Sequence, residues 1–243
     1  MNFSLNDLPD SGPNPVVWME IKLGHDIIGK FYIRLHRNVF PAGVENFVRI
    51  AGGRTYRTSR QGTATGRKRI RETTRTYNGN SFFAFKYNNY IVGGDIYNNN
   101  GTNAGTIFCD EPIPSSYIGN TFYPHDTKGL LSLVPFKNEE TNEVFYDSTF
   151  LITLDNSKPT NVISDLDNDH VVIGQIYCSL DVLDKINLLL KPYAGRRYPK
   201  FTIANANITN GSRRQRPLLR KDINKYTVPC TCEQEHKCVC SKK

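Results

Sequence analysis

Val16-Val17-Trp18-Met19-Glu20-Ile21-Lys22-Leu23, then Gly24-His25-Asp26, then Ile27-Ile28-Gly29-Lys30-Phe31-Tyr32-Ile33-Arg34-Leu35 is the stretch that decides the fold. The first run is rich in β-formers, and Gly24-His25-Asp26 reads as a turn. In the second run Phe31, Ile33 and Leu35 alternate with Lys30, Tyr32 and Arg34. A period of two predicts a hairpin with one buried face. The period then changes. Pro41 suits the first turn of a helix, where its missing N–H costs nothing. Val44, Phe47, Val48 and Ala51 recur at helical spacing, and Gly52-Gly53 ends the run.

Downstream, short β-type runs fall at Phe82–Phe85, Tyr90–Val92, Leu130–Val134, Thr149–Leu154, Val171–Ile176 and Phe201–Ala206. A second helix fits Leu180 to Leu190, with Leu180, Leu183, Ile186, Leu189 and Leu190 on one side. Many short strands with a helix near each end predict a mainly β fold, a barrel with two helices. The expected organisation is an arm over 1–14, one domain over 15–209 with a basic insertion over 54–76, and a tail over 210–243.

At 243 residues and 38% hydrophobic, the chain can bury a substantial core. No apolar run approaches the roughly 18 residues of a membrane span. Met1 to Pro15 has no basic, then apolar, leader pattern. The expectation is a cytoplasmic protein that makes no membrane contact and keeps its thiols reduced. Cys109 and Cys178 then read as small apolar residues.

The net charge of +8 is uneven. Between Arg54 and Arg75 stand eight Lys and Arg, among them Arg67, Lys68, Arg69 and Arg71, against Glu72 alone. From Gly211 to Lys243 there are nine Lys and Arg against three acids. The rest of the chain is therefore net acidic. Arg54 to Tyr77 shows no period and almost no aliphatic residue, so it reads as a long basic loop. Such a loop suits phosphate, an acidic protein surface, a second copy of the chain, or nuclear import through Gly66–Arg71. The alternative is a merely solvated loop. With only Tyr56 and Tyr77 nearby, base stacking on it is not indicated.

The tail carries Cys230, Cys232, Cys238 and Cys240, two C-x-C pairs around His236. Four thiolates suit a soft metal, with His236 to spare. One intervening residue is tight for two ligands on a tetrahedral ion, so free thiols or disulfides are the other reading. No cofactor is expected.

The order of short motifs resembles the cyclophilins, prolyl isomerases that bind cyclosporin. Pro41-Ala42-Gly43-Val44-Glu45-Asn46-Phe47 is similar to the family's P-x-x-x-E-N-F, and Val92-Gly93-Gly94-Asp95 to its Q-G-G-D. Asn100-Gly101-Thr102 with Thr106-Ile107-Phe108 resembles N-G-T-G-G-x-S-I-Y. His125 with Gly129-Leu130-Leu131-Ser132 resembles H-x-x-x-G-x-L-S-M. His170-Val171-Val172-Ile173-Gly174-Gln175-Ile176 follows H-V-V-F-G-x-V, and Phe201-Thr202-Ile203-Ala204 is similar to the closing strand. The resemblance runs in order from about Pro15 to Asn207. It implies a closed eight-stranded antiparallel barrel capped by two α-helices, and a proline-containing peptide or protein as partner.

Turning a prolyl bond means crossing roughly 18–20 kcal/mol of amide resonance. A catalyst can donate a hydrogen bond to the prolyl nitrogen and hold the ring in an apolar pocket. The resemblance assigns the donor to an Arg in F-H-R-x-I-P-x-F-M-x-Q-G-G-D. Here, counting back from Gly93-Gly94-Asp95 without a gap, Ala84 takes the place of that Arg. Asn89 stands for the pocket Phe, Tyr90 for the Met and Val92 for the Gln. Ser148-Thr149-Phe150-Leu151 stands where the family has S-Q-F-F, so Thr149 replaces a second Gln and Leu151 a second Phe. Asp165 stands for the Trp that helps bind cyclosporin. Leu166 and His170 keep the family's identity, His170 either as a peptide ligand or as a structural histidine with its hydrogen bonds met.

Losing one preorganised donor typically costs about 2.7–4 kcal/mol. Lys86 shares a strand face with Ala84, but about 6–7 Å away and without the planar fork. The expectation is a cyclophilin-like domain of little or no isomerase activity that binds proteins. The alternatives are a weak but genuine isomerase, and an adaptor for nucleic acid or an acidic partner.

Overall fold

The computed structural model describes residues 13–53, 55–61, 68–108, 111–154, 165–191 and 199–209, with the backbone alone over 55–61 and 68–73. Strands β1 (Val16–Leu23) and β2 (Asp26–Leu35) form the predicted hairpin around Gly24-His25. Val17, Met19 and Ile21 of β1 face Phe31, Ile33 and Leu35 of β2 into the core, all fully buried. Helix α1 (Pro41–Ala51) follows, with Pro at its start and Gly52 at its C-cap.

Next come β3 (Thr55–Gln61), β4 (Lys68–Thr74), β5 (Ala84–Lys86), β6 (Tyr90–Gly93), β7 (Ile113–Pro114), β8 (Leu130–Lys137), β9 (Val144–Thr153) and β10 (Val171–Cys178). Helix α2 (Asp181–Leu190) and β11 (Phe201–Ile208) complete the order. The main sheet is antiparallel and runs β11-β1-β2-β10-β8-β9-β6-β5, with β7 beside β9. It is a curled sheet of nine strands, not the expected eight, and its strand path has two ends, at β11 and β5. The stretch between those ends is irregular. Ser81 makes one isolated bridge to Thr202, Phe82 N–H donates to Phe201 O, and Phe83 N–H donates to Val92 O. The expected closed barrel of regular strands is thus corrected to an open, curled ladder.

The core is aromatic at its centre. Phe150 meets Phe47, Tyr77 and Phe82 edge to face, with ring centroids 5.4, 5.3 and 6.0 Å apart. Helix α2 buries Val182, Leu183, Ile186 and Leu190, whereas Leu180 and Leu189 stay more than a third exposed. The helix reaches the sheet because Gly29 has no side chain. A Cβ there would lie 2.5 Å from Val182 Cγ2.

The basic insertion is not a loop over its described part. β3 and β4 pair antiparallel from Thr55–Thr74 to Gln61–Lys68, as a separate two-stranded sheet. Both strands mix Thr, Ser or Ile with charged residues. Thr and Ile favour extended backbone, and two paired strands supply each other's backbone partners. Arg75, counted with the insertion's charge, is buried. Its guanidinium donates to Thr106 O and to Tyr97 Oη. It anchors the base of the hairpin. The arm over 1–12, Arg67 and the tail over 210–243, with Cys230, Cys232, Cys238 and Cys240, lie outside the described residues. Cys178, expected as a small reduced residue, is buried and disulfide-bonded. Its partner also lies outside them.

Candidate functional site

Four of the positions that the sequence singled out, Ala84, Val92, Thr149 and Leu151, share one face of the sheet. Ala84 pairs with Val92, Val92 with Leu151, and Leu151 with Ser132. Directly opposed residues share a face, so Ala84, Val92, Leu151 and Ser132 make one row across β5, β6, β9 and β8. Thr149 lies two residues before Leu151 and therefore on the same face. Leu151 is buried, and Ala84, Val92 and Thr149 are half-buried.

This row carries few hydrogen-bond donors. The side chains of Ala84, Val92 and Leu151 have none. Thr149 turns its N–H (2.7 Å) and its hydroxyl onto the Asp147 carboxylate. Burial pushes the Asp147 carboxyl up, and these bonds pull it back. Asn89 does not reach the groove. It is buried in the β5–β6 turn, where its side-chain amide donates to Tyr87 O at 2.9 Å and its backbone carbonyl accepts Leu154 N–H. Asn88, at φ 62°, and Asn187 of α2 bond each other twice and fix that turn. Lys86 is exposed and opposite Tyr90.

The turn Asp165–His170 closes over the Ser132 end of the row. His125 Nδ1 lies 2.6 Å from Asp167 Oδ1, and its Nε2 lies 2.6 Å from Ser132 Oγ. Asp167 also accepts the His125 backbone N–H at 2.8 Å. A serine, histidine and aspartate in line resemble a nucleophile relay. Ser132, however, is fully buried, so no substrate can meet its hydroxyl. The relay ties the turn to the sheet. The sequence shows His125 only within a motif; nothing in the spacing pairs it with Asp167.

Leu166 is buried and Asp165 exposed. His170 stands edge-on to His125, 6.3 Å between ring centroids. Its Nδ1 is buried without a hydrogen-bond partner. Burial, reinforced by His125, lowers its pKa to about 4.

The motif glycines and acids have structural work. A Cβ on Gly94 (φ +99°) would lie 2.1 Å from Ser148 O. Asp95 is fully buried and accepts the backbone N–H groups of Tyr97, Asn98, Asn100, Gly101, Thr102 and Asn103. Burial works to raise its pKa, but these bonds win and hold it at about 2. Glu45 is buried between Arg37 and Arg49, and Asn46 joins Ile107 N–H to Asp147 O.

The sequence profile described as cyclophilin type peptidyl-prolyl cis-trans isomerase/CLD matches residues 18–208. The chain belongs to the cyclophilin family. A curated relative, structural PPIase-like protein L605 of Acanthamoeba polyphaga mimivirus, is 55% identical over 234 residues, covering 93% of this chain and 99% of the relative. A solved structure, titled the crystal structure of the mimivirus cyclophilin, superposes with a TM-score of 0.73 at 52% identity, over 89% of this chain and 100% of that one. Ala84, Val92, Thr149 and Leu151 share the face described above, His170 stands beside His125 at its Ser132 end, and Asn89 lies in the β5–β6 turn. Lys68, Arg69 and Arg71 lie on β4, in the separate hairpin. Among the described residues no cluster of His, Cys, Asp or Glu fits a metal ion, and no helix is long and apolar enough to cross a membrane.

Proposed function

We propose that this cyclophilin domain has little or no prolyl isomerase activity and serves as a protein-binding or scaffold module. The observation behind it is the row Ala84–Val92–Leu151, with Thr149 turned to Asp147. Catalysis of prolyl rotation needs a donor aimed at the prolyl nitrogen, and this row has none to aim. The groove keeps an apolar floor, with Leu166 and His170 at one end, and that supports binding of a proline-containing segment without turnover. The mimivirus relative's name, structural PPIase-like, agrees with this reading. We place the protein in the host cytoplasm or in a virion, by likeness to that viral relative.

Titration with cyclosporin and with an Ala-Pro peptide, followed by calorimetry, tests the binding half. The expected cyclosporin affinity is at least about 100-fold below that of an ordinary cyclophilin, because Ala84, Val92 and Thr149 replace three of the family's donor side chains and Asn89, Leu151 and Asp165 three of its aromatic rings. Affinity within tenfold would overturn it.

A second reading rests on the β3–β4 hairpin. Arg57, Arg60, Lys68, Arg69 and Arg71 lie on two short strands with no third strand beside them among the described residues. A lone two-stranded hairpin is marginal in water, so association with a polyanion, an acidic protein or a second copy would stabilise it. Deletion of Tyr56–Thr73, which spares the buried Arg75, should leave a folded domain that no longer associates. Identical solution size and identical retention on immobilised polyanion would refute this.

A further inference from the structure

Strands β11, β1, β2 and β10 lie side by side, and their outward residues form a surface that the groove does not use. On β1, Trp18, Glu20 and Lys22 alternate with the buried Val17, Met19 and Ile21. On β2, Lys30, Tyr32 and Arg34 alternate with the buried Phe31, Ile33 and Leu35. On β10, Gln175 and Tyr177 point the same way. Register sets Trp18 between Asn207 of β11 and Tyr32 of β2. Tyr177 continues the row, its ring 6.5 Å from that of Tyr32. Three half-buried aromatic rings therefore cross three neighbouring strands.

Each end of the row holds a cation. Lys30 Nζ lies 4.3 Å from the Trp18 ring centre, and the Arg34 guanidinium lies 4.9 Å from that of Tyr177. Glu20 tempers one end, shared between Lys30 at 3.7 Å and the Asn205 amide at 2.9 Å. At the other end Arg34 Nη2 is buried and has no hydrogen-bond partner. A buried guanidinium N–H without an acceptor is costly, and it marks a place for an anion that the described residues do not supply.

We propose that this face binds single-stranded nucleic acid, with bases stacked on Trp18, Tyr32 and Tyr177 and phosphates held by Lys30 and Arg34. Rings displayed on a sheet and flanked by cations are the general means of holding unpaired bases. Charge favours a polyanion over a neutral peptide. On this face Lys22, Lys30 and Arg34 outnumber Glu20 although the domain body is net acidic, and nine Lys and Arg lie between Gly211 and Lys243, after β11. The last described residue, Thr209, donates its N–H to Val16 O, and Val16 is paired with Arg34. Thr209 thus ends the described chain beside β1, on the Trp18 side of the row. An acidic protein would satisfy the charge but would leave the rings unused.

The chain has a single tryptophan, Trp18, so its fluorescence reports on this face alone. The full-length protein is titrated with oligo(U), with oligo(dT), and with polyphosphate as an anion without bases. Both oligonucleotides are expected to quench Trp18 saturably, more weakly as salt rises. Polyphosphate is expected to leave the fluorescence unchanged. Tyr177→Leu should weaken oligonucleotide binding about tenfold with no change for polyphosphate. Lys30→Gln alters a side chain at the surface and keeps the fold, and it should lower the salt dependence of oligonucleotide binding. Equal binding of oligonucleotide and polyphosphate without quenching would overturn the proposal. So would a Lys30→Gln variant with unchanged affinity and salt dependence, or a folded Tyr177→Leu variant that binds as the parent does.

Discussion

Replacing Asp95 by Asn should cost the protein about 2 kcal/mol near neutral pH and remove a step from its acid denaturation. Asp95 is fully buried. Burial alone would raise its pKa, yet the surrounding backbone N–H groups hold it at about 2, against an ordinary value of 3.8. A tenfold change in proton affinity between the folded and unfolded chain is worth about 1.36 kcal/mol, which gives the figure of about 2 kcal/mol. The folded pKa is depressed, so this stability is fully present above about pH 4. It is lost as pH falls from there towards 2. Asn cannot ionise, and its NH2 group faces donors rather than acceptors. In a domain of this size, 2 kcal/mol corresponds to about 4–8 °C in melting temperature. Thermal melts of both proteins at pH 7, 4 and 2.5 should show a gap of that size at pH 7 that narrows to roughly a third of it at pH 2.5. Equal melting temperatures at pH 7, or parallel curves down to pH 2.5, would refute the reasoning.

Gly94→Ala should be destabilising by about 2–3 kcal/mol or more, since it combines a positive φ with a Cβ 2.1 Å from Ser148 O; a melting curve like that of the parent would contradict this. Arg75→Ala should lower the melting temperature by at least about 4 °C, because it strips a buried donor from Thr106 O and Tyr97 Oη; a drop below one degree would mean the hairpin base is held otherwise. His170 should stay neutral down to about pH 4. Its depressed pKa opposes folding below about pH 6.5, where the unfolded chain's histidine takes up a proton that the folded one refuses, and the penalty grows until pH falls to about 4; an NMR titration midpoint near 6.5 would contradict the burial argument.

The parts of the fold visible in the sequence are those with a burial period. Phe31, Ile33 and Leu35 alternate because one face of β2 meets the core, and Val44, Phe47 and Val48 repeat at the helical period of α1, which is buried on nearly all sides with Glu45 and Asn46 among its buried polar residues. The β3–β4 hairpin has no such signal. It forms a separate sheet, and its Thr and Arg residues follow no period that would mark a face. The pattern predicts β8 only to Val134, whereas the strand runs on through Pro135, which is accommodated where the register with β9 shifts between Leu133 and Pro135. The first half of β9, Val144–Ser148, hides among polar residues. In the site, counting from Gly93-Gly94-Asp95 puts Ala84 and Val92 on one face, and β5 and β6 do pair there without a bulge. The same count puts Asn89 in the groove, whereas its amide folds back on its own turn. The His125–Asp167 contact spans 42 positions, and the Trp18–Tyr32–Tyr177 row joins three separate strands. Neither can be read from local spacing.

The central claim is that the groove binds without turning over. Its most direct test is the isomerisation rate of an Ala-Pro peptide, measured with the purified protein and with Ala84→Arg beside an ordinary cyclophilin. The account predicts a kcat/KM at least about 100-fold below that reference, and little recovery in Ala84→Arg, because Val92 and Thr149 still offer the substrate no donor and Asn89 no ring. A kcat/KM within tenfold of the reference for the unmodified protein would contradict it.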